Sequence, residues 1–204
     1  MAYLIQVTGT SGTGKASLIP QLAEMIAKAG YTVENILEPG PLRSFIKQYR
    51  LRTDKNPWEE AALFTADRLI NYEEKGIISR MKEKDLVFLS ERSFADTLVY
   101  QGLLGGVDLG VILKQNARIP SPDLTLCLTV SGAEGYRRVQ QRFSRGGEQP
   151  TPTEKPESID LLAGYFRIAK DKFPQLNMEM IDTTNLNENQ VIESCYEKVK
   201  RIIK

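Results

Sequence analysis

Histidine is absent from the 204 residues, which removes Ser-His and Cys-His triads, most zinc sites and the commonest general acid or base. Any chemistry must therefore rest on carboxylates, lysine, arginine and backbone groups. Cysteine is scarce as well: Cys127 and Cys195 form no CxxC pair and have no metal-ligand spacing, as expected of two ordinary thiols in a reducing compartment. No apolar run approaches the roughly 20 residues of a membrane span, and Met1 to Thr8 is too short and uncharged for a signal peptide, so a soluble, cytoplasmic protein with no membrane partner is expected. Charge of one sign is also lacking. The 27 Lys and Arg against 26 Asp and Glu leave a net charge of +1 and no electrostatic footprint for nucleic acid. A small anionic ligand needs only a local cluster and stays allowed.

What is present is a regular alternation. Tyr3 to Thr8, Tyr31 to Leu37, Leu86 to Leu89, Leu124 to Val130 and Met178 to Ile181 read as strands. Leu18, Leu22, Met25, Ile26 and Ala29 follow the first strand at helical spacing, and Gly30 closes that helix. A basic stretch from Leu42 to about Leu51 is helical. Asn56-Pro57-Trp58-Glu59 reads as a capping box opening a helix from Pro57 to about Glu74, and helical patterns recur from Ile159 to Lys172 and from about Asn187. Such alternation over this length predicts one α/β domain, residues 1–204, of the P-loop NTPase type, with three α/β/α layers and a mainly parallel sheet. Ser144 to Pro156, with Gly146, Gly147, Pro150, Pro152 and Pro156 and no apolar periodicity, interrupts the rhythm and reads as a mobile lid at about 144–156.

Gly9-Thr10-Ser11-Gly12-Thr13-Gly14-Lys15-Ala16-Ser17 leaves the first strand and enters the first helix, the context in which GxxxxGK signifies a phosphate loop. Its glycines let backbone N–H groups face the phosphates, the helix N-terminus adds positive potential, and Lys15 reaches the terminal oxygens of ATP. The hydroxyl that should follow the lysine and ligate Mg²⁺ is replaced by Ala16, and Ser17 lies about 100° further round the helix. A carboxylate with phosphates and water would then carry the ion. Glu91, beside Arg92 at the C-terminal end of a buried strand, is the candidate metal carboxylate, and Arg92 has the planar fork that grips a phosphate. Arg138, Arg142 and Arg145 recur at i, i+4 and i+7 on one helix face leading into the lid, with Arg137 turned aside. Such a row suits a phosphoryl group in transfer, and it equally suits a solvated face. Phe64 and Arg68, four residues apart, would stack on and hydrogen-bond to a base; a core role for the ring is the competing reading.

Taken in order, the phosphate loop, Glu38-Pro39-Gly40, Leu63-Phe64-Thr65-Ala66-Asp67-Arg68, Glu91-Arg92, Tyr100-Gln101-Gly102, Pro122-Asp123-Leu124-Thr125 and Gly164-Tyr165 resemble thymidylate kinases. The resemblance implies phosphorylation of dTMP to dTDP by ATP with Mg²⁺, in a homodimer. It implies that Phe64 stacks on thymine, that Arg68 and Thr97 bond to its edge, and that Tyr100 packs beneath the sugar. It further implies that Arg92 holds the dTMP phosphate, that Tyr165 sits near the acceptor, and that Glu38 and Gln101 belong to the substrate side. The departures are Ser11 in place of an aspartate on the sugar 3′-hydroxyl, Ala16, Glu91 in place of aspartate, Leu37 in place of an arginine, and a lid without the acidic Asp-Arg-x-Glu stretch. Two alternatives remain on the residues alone. Glu91-Arg92-Ser93 and Glu38-Pro39 also resemble deoxynucleoside kinases, where Glu38 would serve as base toward a hydroxyl acceptor. Ala16 and Ser11 would also suit a catalytically impaired nucleotide-binding protein.

Overall fold

The computed structural model describes residues 1–203. Among these, β1 (Tyr3–Gly9), β2 (Thr32–Leu37), β3 (Leu86–Glu91), β4 (Leu124–Thr129) and β5 (Met178–Asp182) form one sheet. Its order is β2-β3-β1-β4-β5 with every pairing parallel, so β1 is central, with Val7 level with Glu91 on one side and Leu126 on the other. After β1 the chain leaves for one half of the sheet, and β4 begins the other half. The crevice between the C-terminal ends of β1, β3 and β4 is where open parallel sheets bind ligands.

The period of two along each strand divides the core. Ile5 and Val7 of β1 and Leu126 and Leu128 of β4 pack with Leu18, Leu22 and Ile26 of α1 (Lys15–Lys28) and with Val191, Cys195 and Val199 of α9 (Glu188–Lys200). On the opposite face Cys127 meets Leu162 and Phe166 of α8 (Pro156–Lys172), while Leu4 and Phe88 meet Tyr72 of α3 (Pro57–Glu74). Each Leu, Ile, Val or Phe among them, when fully buried, contributes about 1.5–3 kcal/mol.

The signposted helix covers the expected residues, but its box does not close. Asn56 accepts from Trp58 N at 2.9 Å, yet the Asn56 N–H goes to the Tyr49 hydroxyl at 2.9 Å, and that hydroxyl donates to Glu59 at 2.5 Å. The ring of Tyr49, near the end of α2 (Arg43–Arg50), therefore stands between the two groups that would have met. The chain continues through α4 (Ile77–Arg80), then α5 (Phe94–Thr97), which runs into a π-helical stretch, Leu98–Leu104, before α6 (Leu109–Gln115). Helix α7 (Gly132–Ser144) carries the arginine row, and the segment after it holds one 3₁₀ turn, Pro152–Glu154.

Candidate active site

The phosphate loop is shaped by what passes close to it. Gly9 has φ +124°, and a Cβ there would stand 1.9 Å from the Leu128 carbonyl oxygen of the neighbouring strand; Gly12, at φ +79°, would meet the Gly135 carbonyl oxygen of α7 at 2.5 Å. Only glycine satisfies both the conformation and the space. Lys15, buried at the first position of α1, folds back over its own loop, donating to Thr10 O at 2.5 Å, Gly9 O at 3.1 Å and Thr13 Oγ1 at 3.2 Å. Burial, reinforced by the Arg92 charge, lowers its pKa to about 7. Ala16 and Ser17 are both exposed and both line the same cleft.

That cleft has a volume of about 1240 Å³ and runs from the phosphate loop past the ends of β2 and β3 to Phe64, with Glu148, Gln149, Thr151 and Glu154 on its other side. At its floor stand Glu91, partly buried, and Arg92, whose φ of +81° is unusual for a residue with a side chain. Arg92 Nη1 donates to Asp96 Oδ1 at 3.1 Å, and burial beside it pushes the pKa of the Tyr100 hydroxyl up to about 12. Asp96 Oδ2 in turn accepts from Thr8 Oγ1 at 2.6 Å and Ser93 N at 2.9 Å. Tyr100 and Gln101 lie in the π-helical stretch, and the Tyr100 ring meets Phe166 edge to face, with centroids 6.4 Å apart. A π-type turn is a frequent accompaniment of functional sites.

At the far end Arg68 is 2% exposed and mostly committed to the protein. Its Nε donates to Glu38 Oε2 at 2.8 Å, Nη1 to Asn116 Oδ1 at 2.8 Å, and Nη2 to Ser93 O at 3.2 Å and Thr97 Oγ1 at 3.4 Å. Burial raises the Glu38 carboxyl above the usual carboxylate range, with Arg68 acting in the opposite sense, and Glu38 Oε1 has no partner among the described residues. Phe64, Arg68 and Thr97 all border the cleft. On its other wall, the row of arginines is used unevenly. Arg138 donates to Glu134 at 2.7 Å and reaches Gly12 O, Thr183 O and Thr184 O, so it ties α7 to the phosphate loop and to the turn after β5. Arg142 bonds to Glu154 at 3.1 Å. Burial opposes the Glu154 charge, but bonds from the Thr151 backbone, from Arg142 and from the Ser11 side chain outweigh it and lower its pKa.

Two expected site residues lie elsewhere. Arg145 is the residue capping α7, where the helical register ends, and it does not line the cleft; Arg137, expected to turn aside, does line it and pairs with Glu134 at 2.6 Å. Tyr165, on α8, is partly buried against the core cluster that holds Cys127 and Phe166 and is not a cleft residue either. Among residues not foreseen, Asp96 was within reach of a sequence reading, since Ser93-x-x-Asp96 is a capping-box spacing, and the box is formed. Glu134, three and four residues before two arginines, had a helical-pair signal. Asn116 had none, because only the fold brings it to Arg68 across 48 residues.

The donor set suits Mg²⁺ bound mainly by phosphates and water. Among the described residues no three metal-ligating side chains cluster, but Glu91 presents a carboxylate to the cleft and takes part in no ion pair. One carboxylate with substrate phosphates is a common Mg²⁺ arrangement.

The strand order, the glycine-rich loop between β1 and α1 and the cleft above them define a nucleotide-binding protein of the P-loop α/β class. The thymidylate kinase family profile matches residues 7–194. A thymidylate kinase of Desulfotalea psychrophila is 34% identical over 168 residues, covering 80% of this chain and 79% of that one. A probable thymidylate kinase of Archaeoglobus fulgidus is 28% identical, covering 98% and 94%. The solved thymidylate kinase of Candida albicans superimposes with a TM-score of 0.73 over 98% of this chain and 92% of its own at 18% identity, a likeness of fold. The chain belongs to the thymidylate kinase family, and with it to the phosphotransferases that act on nucleoside monophosphates. The deoxynucleoside kinase alternative is not favoured.

Proposed function

We propose that the protein transfers the γ-phosphoryl group of ATP to the phosphate of dTMP, giving dTDP and ADP. The observation that carries this reading is one cleft holding a phosphate loop with Lys15 at one end, Phe64, Arg68 and Thr97 at the other, and Arg92 between them. The acceptor phosphate is already anionic, so no base is needed, and a chain without histidine lacks nothing for the reaction. The bond from the γ-phosphorus to the bridging oxygen of ADP breaks as the bond to a dTMP phosphate oxygen forms.

In this reading the loop from Gly9 to Ser17 cradles the donor phosphates and Lys15 turns from the loop carbonyls toward them. Glu91 would carry Mg²⁺, which would supply charge neutralisation at the phosphates. Arg92 holds the acceptor phosphate, and Arg142 leaves Glu154 to meet the phosphoryl group. Arg138 holds the loop against α7. Phe64 stacks on the base, Arg68 and Thr97 read its edge, and Tyr100, Gln101 and Glu38 complete the substrate side. Residues 1–204 act as a single domain with 144–156 as the lid, in a cytoplasmic homodimer, as the resemblance implies; no helix of the described residues is long and apolar enough to cross a membrane.

The test is ADP release from ATP and Mg²⁺ with dTMP, thymidine, dUMP, dCMP or dGMP as acceptor. Selective turnover of dTMP is expected. Turnover of thymidine alone, or of no acceptor, would overturn the reading.

A further inference from the structure

An acid on the floor of a cleft built for phosphates is electrostatically out of place unless its charge has another use. Asp96 is such an acid, and its two oxygens have separate duties. Oδ2 is fixed by the fold, accepting from Thr8 Oγ1 at 2.6 Å and from Ser93 N at 2.9 Å. Thr8 immediately precedes Gly9 of the phosphate loop, and Ser93 caps α5, so the carboxylate is anchored to β1 and to the helix start together. Oδ1 is the oxygen left over, and it accepts from Arg92 Nη1 at 3.1 Å.

Arg92 needs such a guide. It projects from a left-handed backbone at φ +81°, its side chain remains 38% exposed against 15% for Asp96, and a free arginine side chain carries about 2 kcal/mol of rotamer entropy. With one Nη1 proton on Asp96, the rest of the guanidinium fork is left for the cleft.

We infer that Asp96 is a positioning residue, which aims the Arg92 guanidinium at the acceptor phosphate and ties that aim to the strand leading into the phosphate loop. The inference rests on the proposed role of Arg92. It reaches the reaction through alignment, where a misplacement of about 1 Å costs on the order of 10²-fold in rate.

Asp96→Asn separates aim from folding, because an asparagine oxygen still accepts from Thr8 and Ser93 while its amide group turns N–H toward Arg92. With dTMP varied at saturating ATP and Mg²⁺, kcat is expected to fall about 10- to 100-fold. The KM for ATP should stay within about twofold, and the melting temperature should stay within a few degrees. In an Arg92→Gln background the same substitution should cost less than about threefold, because the group it guides is gone. A second readout needs no turnover: the Arg92 ¹⁵Nε order parameter is expected to be high in the unaltered protein and to drop in Asp96→Asn. Unchanged kcat for dTMP, an equal loss in the Arg92→Gln background, or an unchanged Arg92 order parameter would each overturn the inference. If the unaltered protein fails to use dTMP, the proposed function falls, and the order parameter still decides whether Asp96 positions Arg92.

Discussion

Binding of nucleotide to the phosphate loop should draw a proton from solution, and Lys15 sets how much. Without ligand the Lys15 amine is buried against Gly9 O, Thr10 O and Thr13 Oγ1, and burial with the neighbouring Arg92 charge lowers its pKa from 10.5 to about 7. At pH 8 the amine is then about nine-tenths neutral. Arriving phosphates reverse the balance, because an ammonium facing several anionic oxygens is strongly favoured. Nucleotide binding at pH 8 should therefore take up about 0.9 proton, and at pH 6 about 0.1. Titration calorimetry of ADP binding, repeated in buffers of different ionisation enthalpy and corrected for the nucleotide's own titration, reads this number directly. Stability follows the same shift. The unfolded chain holds more protons than the folded one between pH 7 and 10.5, so the ligand-free protein should gain stability as pH rises through that window, by on the order of 5 kcal/mol between its limits. Saturating nucleotide, which keeps Lys15 charged, should remove the rise. A binding enthalpy at pH 8 that is the same in every buffer would refute the argument, as would a Lys15→Met variant with the same proton uptake.

Three further outcomes are expected. Gly12→Ala should abolish nucleotide binding, measured by fluorescence or calorimetry, since its Cβ would stand 2.5 Å from the Gly135 oxygen on a backbone at φ +79°. Arg68→Met leaves Glu38 buried without its partner and should cost about 3–5 kcal/mol in urea denaturation. That deficit should shrink as pH falls and Glu38 takes up a proton, and adding Glu38→Gln should recover part of it. Ala16→Thr should lower the Mg²⁺ concentration needed for half-maximal turnover by restoring a hydroxyl ligand; unchanged Mg²⁺ dependence and unchanged kcat would show that this position does not limit the site.

Much of the architecture was legible because it is written in local chemistry. Apolar runs located all five strands to within a residue or two, and Asn56-Pro57 located the start of α3 at the expected residue. The phosphate loop was legible for the same reason, since its glycines, its lysine and the flanking strand and helix are contiguous. The rest was not, because it depends on what comes near what. The expected Asn56 and Glu59 box gives way to the Tyr49 ring, which arrives from another helix. Helical spacing put Arg145 with Arg138 and Arg142, but α7 ends one residue earlier, and Arg137 faces the cleft instead.

By itself, then, the sequence determined the alternation of strand and helix, the parallel sheet, the phosphate loop and the family, all properties of short contiguous patterns. Only the tertiary structure decided the uses of the charged groups. Arg68 is taken up largely by Glu38 and Asn116, Arg138 by backbone carbonyls, Arg142 by Glu154, and one nitrogen of Arg92 by Asp96. The reason is physical: a charge finds its partner through space and pays for burial only if that partner is there, and neither condition is recorded in the spacing of residues along the chain.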